Sequence, residues 1–264
     1  MYLKKTMEIL RKNNKTNFKK RLLISTPTLG VIRYEWAHMR YGQVIPVNWE
    51  ASGFDLPYTP RDHNGFAVVG YSIDDAYNLI VKRFVEREMT WLLIIEDDVI
   101  LPADCFIQMS HYMNEEKLPV VSGLYYLKAN PTVPLLFRGR GTGAYTKFKM
   151  GDRVWCDGLP MGCLLLHKSI LNYMWENSEE YKVSDGTSVR KVFETPRRIF
   201  YDPETHAYAT QTGTQDLYFF ERIIKEGVLA KTGWKKLAKR KYPFLCDTKI
   251  FCRHIDLTTG KQYP

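Results

Sequence analysis

Cysteine is sparse in this chain and poorly spaced for pairing. The five residues, at positions 105, 156, 163, 246 and 252, are odd in number and include no C-x2-C pair. Neither a zinc ribbon nor a disulfide framework is expected, and the pattern suits a reducing compartment. Long apolar runs are missing too: none approaches the ~18 residues of a membrane span. The opening MYLKKTMEIL lacks the apolar core of a signal peptide. There are no internal repeats and no break in composition that marks a domain boundary. These absences point to a cytoplasmic protein with no transmembrane segment. The 264 residues, 45% hydrophobic and 25% charged, can bury a substantial core as one large domain.

Acid is outnumbered, 29 residues against 38 basic, and the excess is unevenly placed. Lys4, Lys5, Arg11, Lys12, Lys15, Lys19, Lys20 and Arg21 face Glu8 alone at the start of the chain. Lys231, Lys235, Lys236, Lys239, Arg240 and Lys241 form a second run without an acid. The remainder is slightly acidic. Segregated basic charge favours a polyanionic surface, nucleic acid or acidic lipid, over a small neutral partner. A solubilising arm and a solvated helix face are the plainer alternative. Leu3, Met7 and Leu10 also give the arm a weak amphipathic face suited to a membrane surface. The division expected is a basic N-terminal arm over 1–20 and one folded domain over 21–264.

Against these absences, one stretch is dense in information: Trp91-Leu-Leu-Ile-Ile-Glu-Asp-Asp-Val-Ile-Leu-Pro102. Five apolar residues predict a strand buried on both faces, as in a parallel α/β sheet. Pro102 suits the first turn of a helix, and Phe106, Met109 and Met113 follow at helical spacing. Glu96, Asp97 and Asp98 therefore fall at the carboxyl end of an inner strand, where open α/β sheets bind ligands. Three adjacent acids repel one another unless a cation shares them, and Mg2+ or Mn2+ prefers carboxylate oxygens. A solvated acidic turn leading into the next helix is the competing reading.

Strands and helices alternate along the rest. Strands are expected at 21–26, 44–47, 66–69, 118–121, 163–166 and 250–252, with helices over 32–41, 72–88, from Ser169 and over 216–226. In the second helix Ala76, Leu79, Ile80 and Phe84 share a face, and Ser72 is placed to cap it. Short strands are expected at 125–127, 133–137 and 145–148. Gly139, Gly141 and Gly143 resemble a phosphate loop only superficially, because no helix follows them. The polar stretch 176–212 has little periodicity and is expected to form a mobile surface region.

Four segments carry a resemblance, in order. Leu22-Leu-Ile-Ser-Thr-Pro-Thr28 is similar to an opening strand and loop that hold a nucleotide base, and Ile95-Glu-Asp-Asp-Val99 to a D-x-D signature. Gly158-Leu-Pro-Met-Gly-Cys-Leu-Leu-Leu166 is similar to a glycine-containing acceptor loop, and Gly213-Thr-Gln-Asp-Leu-Tyr-Phe-Phe220 to a helix start bearing a carboxylate base. Phe251-Cys-Arg-His254 resembles a late histidine that completes a metal site. The chain thus resembles a GT-A glycosyltransferase, close to glycosyltransferase family two and its phage and archaeal relatives. That resemblance covers most of the chain.

The resemblance implies a GT-A, Rossmann-like α/β domain with a mostly parallel central sheet flanked by helices. It implies transfer from a nucleotide sugar, a UDP- or GDP-sugar, to an acceptor hydroxyl with inversion. Asp216 would be the base, and Glu96, Asp98 and His254 would hold Mn2+ or Mg2+. Thr26, Pro27, Thr28 and Asp97 would contact the donor, while Trp155, Asp157, Gly158, Met161 and Gly162 would line the acceptor pocket. Phage relatives include enzymes acting on hydroxymethylated pyrimidines in DNA, and the basic segments favour that acceptor over a polysaccharide or surface glycan. Three positions depart from the pattern: Glu96 opens the D-x-D, Tyr77 stands in Ala76-Tyr77-Asn78 where an arginine is usual, and Gln215 precedes Asp216 in place of a glutamate. A sugar nucleotidyltransferase is a second reading, but Ser25-Thr-Pro-Thr-Leu-Gly30 has too few glycines and no basic residue before Arg33. A non-catalytic nucleotide-binding protein is the third.

Overall fold

The computed structural model describes residues 22–44, 67–139, 143–204 and 206–264. The basic arm, the start of the first strand at Arg21 and nearly all of the extended stretch expected over 44–47 lie outside these residues, as does Gly141.

The described chain begins β1 (Leu22–Thr28), α1 (Tyr34–Tyr41), β2 (Ala67–Val69), α2 (Ile73–Glu86), β3 (Trp91–Ile95) and β4 (Val99–Ile100). It continues α3 (Cys105–Glu115), β5 (Val120–Leu124), β6 (Arg153–Cys156), β7 (Cys163–His167) and α4 (Lys168–Glu176). Two pairs of strands follow, β8 (Glu180–Lys182) with β9 (Ser188–Arg190), and β10 (Arg197–Asp202) with β11 (Ala207–Thr212). Next come α5 (Gln215–Lys225), α6 (Val228–Lys231), α7 (Lys235–Ala238), β12 (Phe244–Phe251), β13 (Arg253–Ile255) and β14 (Gln262–Tyr263).

Seven strands form the central sheet in the order β2-β1-β3-β7-β5-β12-β6. All but β7 and β6 run the same way, since β3 and β5 pair antiparallel with β7, and β12 pairs antiparallel with β6. The expected mixed α/β, Rossmann-like domain with a mostly parallel sheet is the fold observed.

Why β3 is an inner strand follows from its side chains. Successive residues of a strand face opposite sides, so Trp91-Leu-Leu-Ile-Ile supplies apolar groups to both. Leu92 and Ile94 pack on one face with Tyr77, Ile80 and Phe84 of α2. Trp91, Leu93 and Ile95 pack on the other with Phe106, Met109 and Met113 of α3. Fully burying each such side chain contributes about 1.5–3 kcal/mol, and a polar residue in the strand would forgo that gain and be buried without a partner. In α2 the buried stripe is Ala76, Tyr77, Asn78, Ile80, Val81 and Phe84, with Leu79 only partly covered.

Several expectations need correction. The helix after Pro102 starts at Cys105, because Pro102 closes a turn by accepting the Cys105 N–H. Ser72 does precede α2, but its hydroxyl bonds Asp74 rather than a backbone amide. The short strands expected over 125–148 reduce to isolated bridges, Tyr126 to Pro134 and Phe137 to Ala144 and Gly158. The stretch 176–212 is not featureless: it contains two antiparallel strand pairs. The first turns through Asp185-Gly186, where Gly186 takes φ +85° and the Asp185 carboxylate accepts the Thr187 N–H. That dipeptide is a hairpin signal in its own right. All five cysteines are free and buried. Among the described residues no helix is long and apolar enough to cross a membrane.

Candidate active site

β1, β3 and β5 end on the same edge of the sheet, and β7 begins there. Ser25 pairs with Ile94, Ile95 with Cys163, and Ser122 with Leu164. Thr26, Pro27 and Thr28 therefore lie beside Glu96, Asp97 and Asp98, with Gly162 opposite and Tyr125 just beyond β5. β13 adds His254 from the far end of the chain, because His254 pairs with Val99 of β4.

Glu96 faces inward. Its Oε1 accepts a 2.6 Å hydrogen bond from the Tyr77 hydroxyl, and its Oε2 a longer one, 3.3 Å, from Tyr125. Tyr125 in turn accepts the Gly162 N–H at 2.8 Å. The Glu96 backbone is pinned as well: its N–H donates to the Gly162 carbonyl, and its carbonyl accepts the Trp36 indole N–H at 2.7 Å. Burial, with the charges of Asp98 and Asp216, pushes the Glu96 carboxyl up to about 8, against the opposing pull of the two phenols. At neutral pH it is a carboxylic acid. Gly162 makes this cluster possible, since a Cβ there would stand 2.4 Å from Val99 Cγ2, 2.7 Å from the Tyr125 oxygen and 2.8 Å from Glu96 Oε2.

Asp98 is its opposite. One oxygen, Oδ2, takes both the Lys128 ammonium at 2.5 Å and His254 Nε2 at 3.2 Å. Burial works against the Asp98 charge, but the hydrogen bonds and charges of His254 and Lys128 overcome it and hold the carboxyl below its ordinary value. The other His254 nitrogen, Nδ1, lies 2.9 Å from the Tyr126 carbonyl and must donate to it. Asp97 lies between these two regimes. Burial raises its carboxyl and Asp98 adds to the rise, while the Thr28 hydroxyl and the Lys128 charge oppose it. Thr26 is fully buried, and its hydroxyl has no hydrogen-bond partner.

Asp216 opens α5 from the neighbouring side. Its carboxylate accepts the N–H of Leu217 at 2.7 Å and is also bonded by Thr214. Burial raises it above the ordinary aspartate value despite these bonds. Its charge helps to raise the carboxyl of Glu96 and the phenols of Tyr77 and Tyr125. Gly158 lets α5 approach, because a Cβ there would lie 2.7 Å from Leu217 Cδ2.

Of the expected metal trio, Glu96 is hydrogen-bonded by the Tyr77 and Tyr125 phenols, while Asp98 and His254 meet at an oxygen that also takes the Lys128 ammonium. Among the described residues no three His, Cys, Asp or Glu side chains are grouped to hold an ion. The acceptor set is also divided. Gly158 and Gly162 adjoin the site, but Met161 is buried in the core. Asp157 is engaged by the Gly139 N–H. Trp155 lies on edge strand β6, under the Arg240 guanidinium, 3.5 Å from the ring centre. A groove of about 430 Å³ lies elsewhere, between β2, α2 and the β8–β9 pair, and is lined by none of the expected site residues.

A197 from STIV shares this fold: it is 14% identical, covers 92% of this chain and 93% of its own length, and superposes with a TM-score of 0.50. Weaker likenesses extend to a Bacillus anthracis protein assigned as a glucose-1-phosphate thymidylyltransferase, in complex with sucrose. It is 11% identical over 59% of this chain and 76% of that one, with a TM-score of 0.33. A CMP:2-keto-3-deoxy-manno-octonic acid synthetase complexed with CTP is 7% identical over 86% and 88%, with a TM-score of 0.30. No family model matches the chain, and no curated protein matches it.

Tyr77, Tyr125 and Lys128 were not among the residues read from the sequence. Tyr77 had a signal, since it stands where an arginine is usual, and its phenol bonds Glu96. Lys128 had none: it lies in a loop, distant in sequence from both Asp98 and His254.

Proposed function

We propose that the protein is a glycosyltransferase that moves a sugar from a UDP- or GDP-sugar to an acceptor hydroxyl with inversion. The observation that carries the reading is the gathering of the Asp98–His254–Lys128 group and Asp97 at one sheet edge, with Asp216, a half-buried carboxylate with a raised pKa, close enough for its charge to act on Glu96 there. The donor nucleotide would lie along Thr26, Pro27, Thr28 and Asp97, the position at which open α/β sheets bind ligands. Asp216 would take the acceptor proton as the acceptor oxygen bonds the anomeric carbon. The bond to the diphosphate breaks, and its electron pair leaves with the phosphate. A raised carboxyl is the stronger base for that step.

The acceptor favoured is DNA bearing a hydroxymethylated pyrimidine. Arg138 and Arg240 support it: Arg240 stacks on Trp155, and Arg138 stacks on Tyr145 while its Nε donates to the Trp155 carbonyl. Cationic and aromatic groups are interleaved there as nucleic-acid surfaces require. The patch runs by way of Phe137 and Gly158 to Leu217, next to Asp216.

A panel of nucleotide sugars, scored for donor hydrolysis and for transfer to modified DNA, simple sugars and lipid-linked glycans, tests the reading. Asp216→Asn should bind donor normally and lose ~10²–10⁴-fold in rate. Turnover only with a sugar phosphate and a nucleoside triphosphate would make the protein a nucleotidyltransferase. No turnover with any donor would leave a binding protein.

A further inference from the structure

The donor reading brings a diphosphate against Asp97 and Asp98, and two carboxylates repel it. Some cation must stand between them. A divalent ion held by Glu96, Asp98 and His254 is disfavoured by the geometry, as Glu96 is committed to Tyr77 and Tyr125. At Asp98 Oδ2 such an ion would have to displace the Lys128 ammonium, which repels it at that range. Lys128 is already in place. It springs from the loop closed by the Tyr126–Pro134 bridge, about a quarter of its side chain is exposed, and its charge reaches Asp97 as well as Asp98. An ammonium has three donors, so one can stay on Asp98 while others meet phosphate oxygens, and the four-carbon stem can follow a leaving group.

We infer, on the strength of the glycosyltransferase reading, that Lys128 is the cation that meets the donor's diphosphate and offsets the charge gathered as the glycosidic bond breaks. Transfer then runs without a divalent ion. His254, fixed by the Tyr126 carbonyl, holds Asp98 so that Lys128 is presented rather than buried.

The test measures two quantities in excess EDTA: nucleoside diphosphate affinity by calorimetry, and turnover of the best donor. Wild type should keep both within about twofold of their values in Mn2+. Lys128→Met should lose ~10²–10³-fold in turnover, the scale on which one lost charge-stabilising donor costs a reaction. Its affinity for UDP or GDP should weaken and lose salt sensitivity. Lys128→Arg should recover part of both, and circular dichroism checks that each variant folds. Wild type inactive in EDTA and restored by Mn2+ would overturn the inference while leaving the glycosyltransferase reading standing. So would a Lys128→Met enzyme as active as wild type in EDTA. If no nucleotide sugar binds or turns over under any condition, the donor reading fails and this role for Lys128 falls with it.

Discussion

The Tyr77 hydroxyl stands 2.6 Å from Glu96 Oε1, joining the buried face of α2 to the acid that ends β3. Removing it with Tyr77→Phe leaves a buried acceptor without its best donor, at a cost of ~1–3 kcal/mol. Urea unfolding should therefore move to a lower midpoint with an unchanged slope. A midpoint equal to wild type would mean that the phenol does not hold Glu96.

The protonated state of Glu96 has a pH signature. Its carboxyl is raised from 4.5 to about 8 in the folded protein. Between those values the native state holds a proton that the unfolded chain has released, so rising pH favours unfolding. The stability is complete below about 4.5 and is lost as pH climbs to about 8, at no more than ~1.4 kcal/mol per pH unit for this group. Asp97 and Asp216, also raised, push the same way over their own lower ranges. Asp98 is lowered and pushes the other way: its contribution is present above 3.8 and is lost in acid. Glu96→Gln should flatten the decline between pH 5 and 8, measured as chemical unfolding at fixed temperature. A variant with the wild-type profile would place the titrating group elsewhere.

Much of the sheet and part of the site were legible because they rest on local pattern. An apolar pentamer flanked by a helical period fixed β3, α3 and the strand-end acids, and the placement of Asp216 at the start of α5 followed from the same kind of pattern. What escaped depended on contacts distant in sequence. Glu96 and Asp98 are two residues apart and chemically alike as text. One faces two phenols and the other an ammonium, so only the three-dimensional surroundings separate an acid from a carboxylate. Met161, next to Gly162, packs into the core, which fits the plainer reading of it as a packing residue. The β8–β9 pair was missed because the polar strands outweighed the Asp185-Gly186 turn.

Gly162 gives a sharper test of the cluster than any charged residue. Its N–H and carbonyl bond Tyr125 and Glu96, and a Cβ would meet Val99, Tyr125 and Glu96 at distances no real contact allows. Gly162→Ala must push β4 or the Tyr125 side chain outward. Overpacking of this kind costs ~1–3 kcal/mol, and nucleotide affinity should fall along with stability because Asp97 and Asp98 follow directly on Glu96. Gly151→Ala is the control: it takes φ +94° but has no atom within 4 Å of the added carbon, so it should cost stability without touching affinity. Equal nucleotide affinity in the two variants would remove the Gly162 cluster from the donor site.

The acceptor prediction joins the second basic run to Trp155. Arg240 covers that ring, α7 carries Lys235 and Lys236 just before it, and Lys239 lies between. If these groups track a phosphate backbone, binding releases counterions, and log affinity for duplex DNA falls with log salt at ~0.9 per phosphate neutralised. Replacing Lys235, Lys236, Lys239 and Arg240 with Gln should flatten that slope and raise the acceptor KM, with donor hydrolysis kept as the internal reference. Trp155→Ala should raise KM as well but leave most of the salt slope, because stacking does not release ions. A hydroxymethyl group projecting into the major groove can be reached without opening the duplex, whereas one presented elsewhere requires the base to be flipped. Modified single strands compared with modified duplexes distinguish the two. Binding that ignores salt, with transfer only to a glycan, would return Lys235, Lys236 and Lys239 to the role of a solvated face and reject DNA as the acceptor.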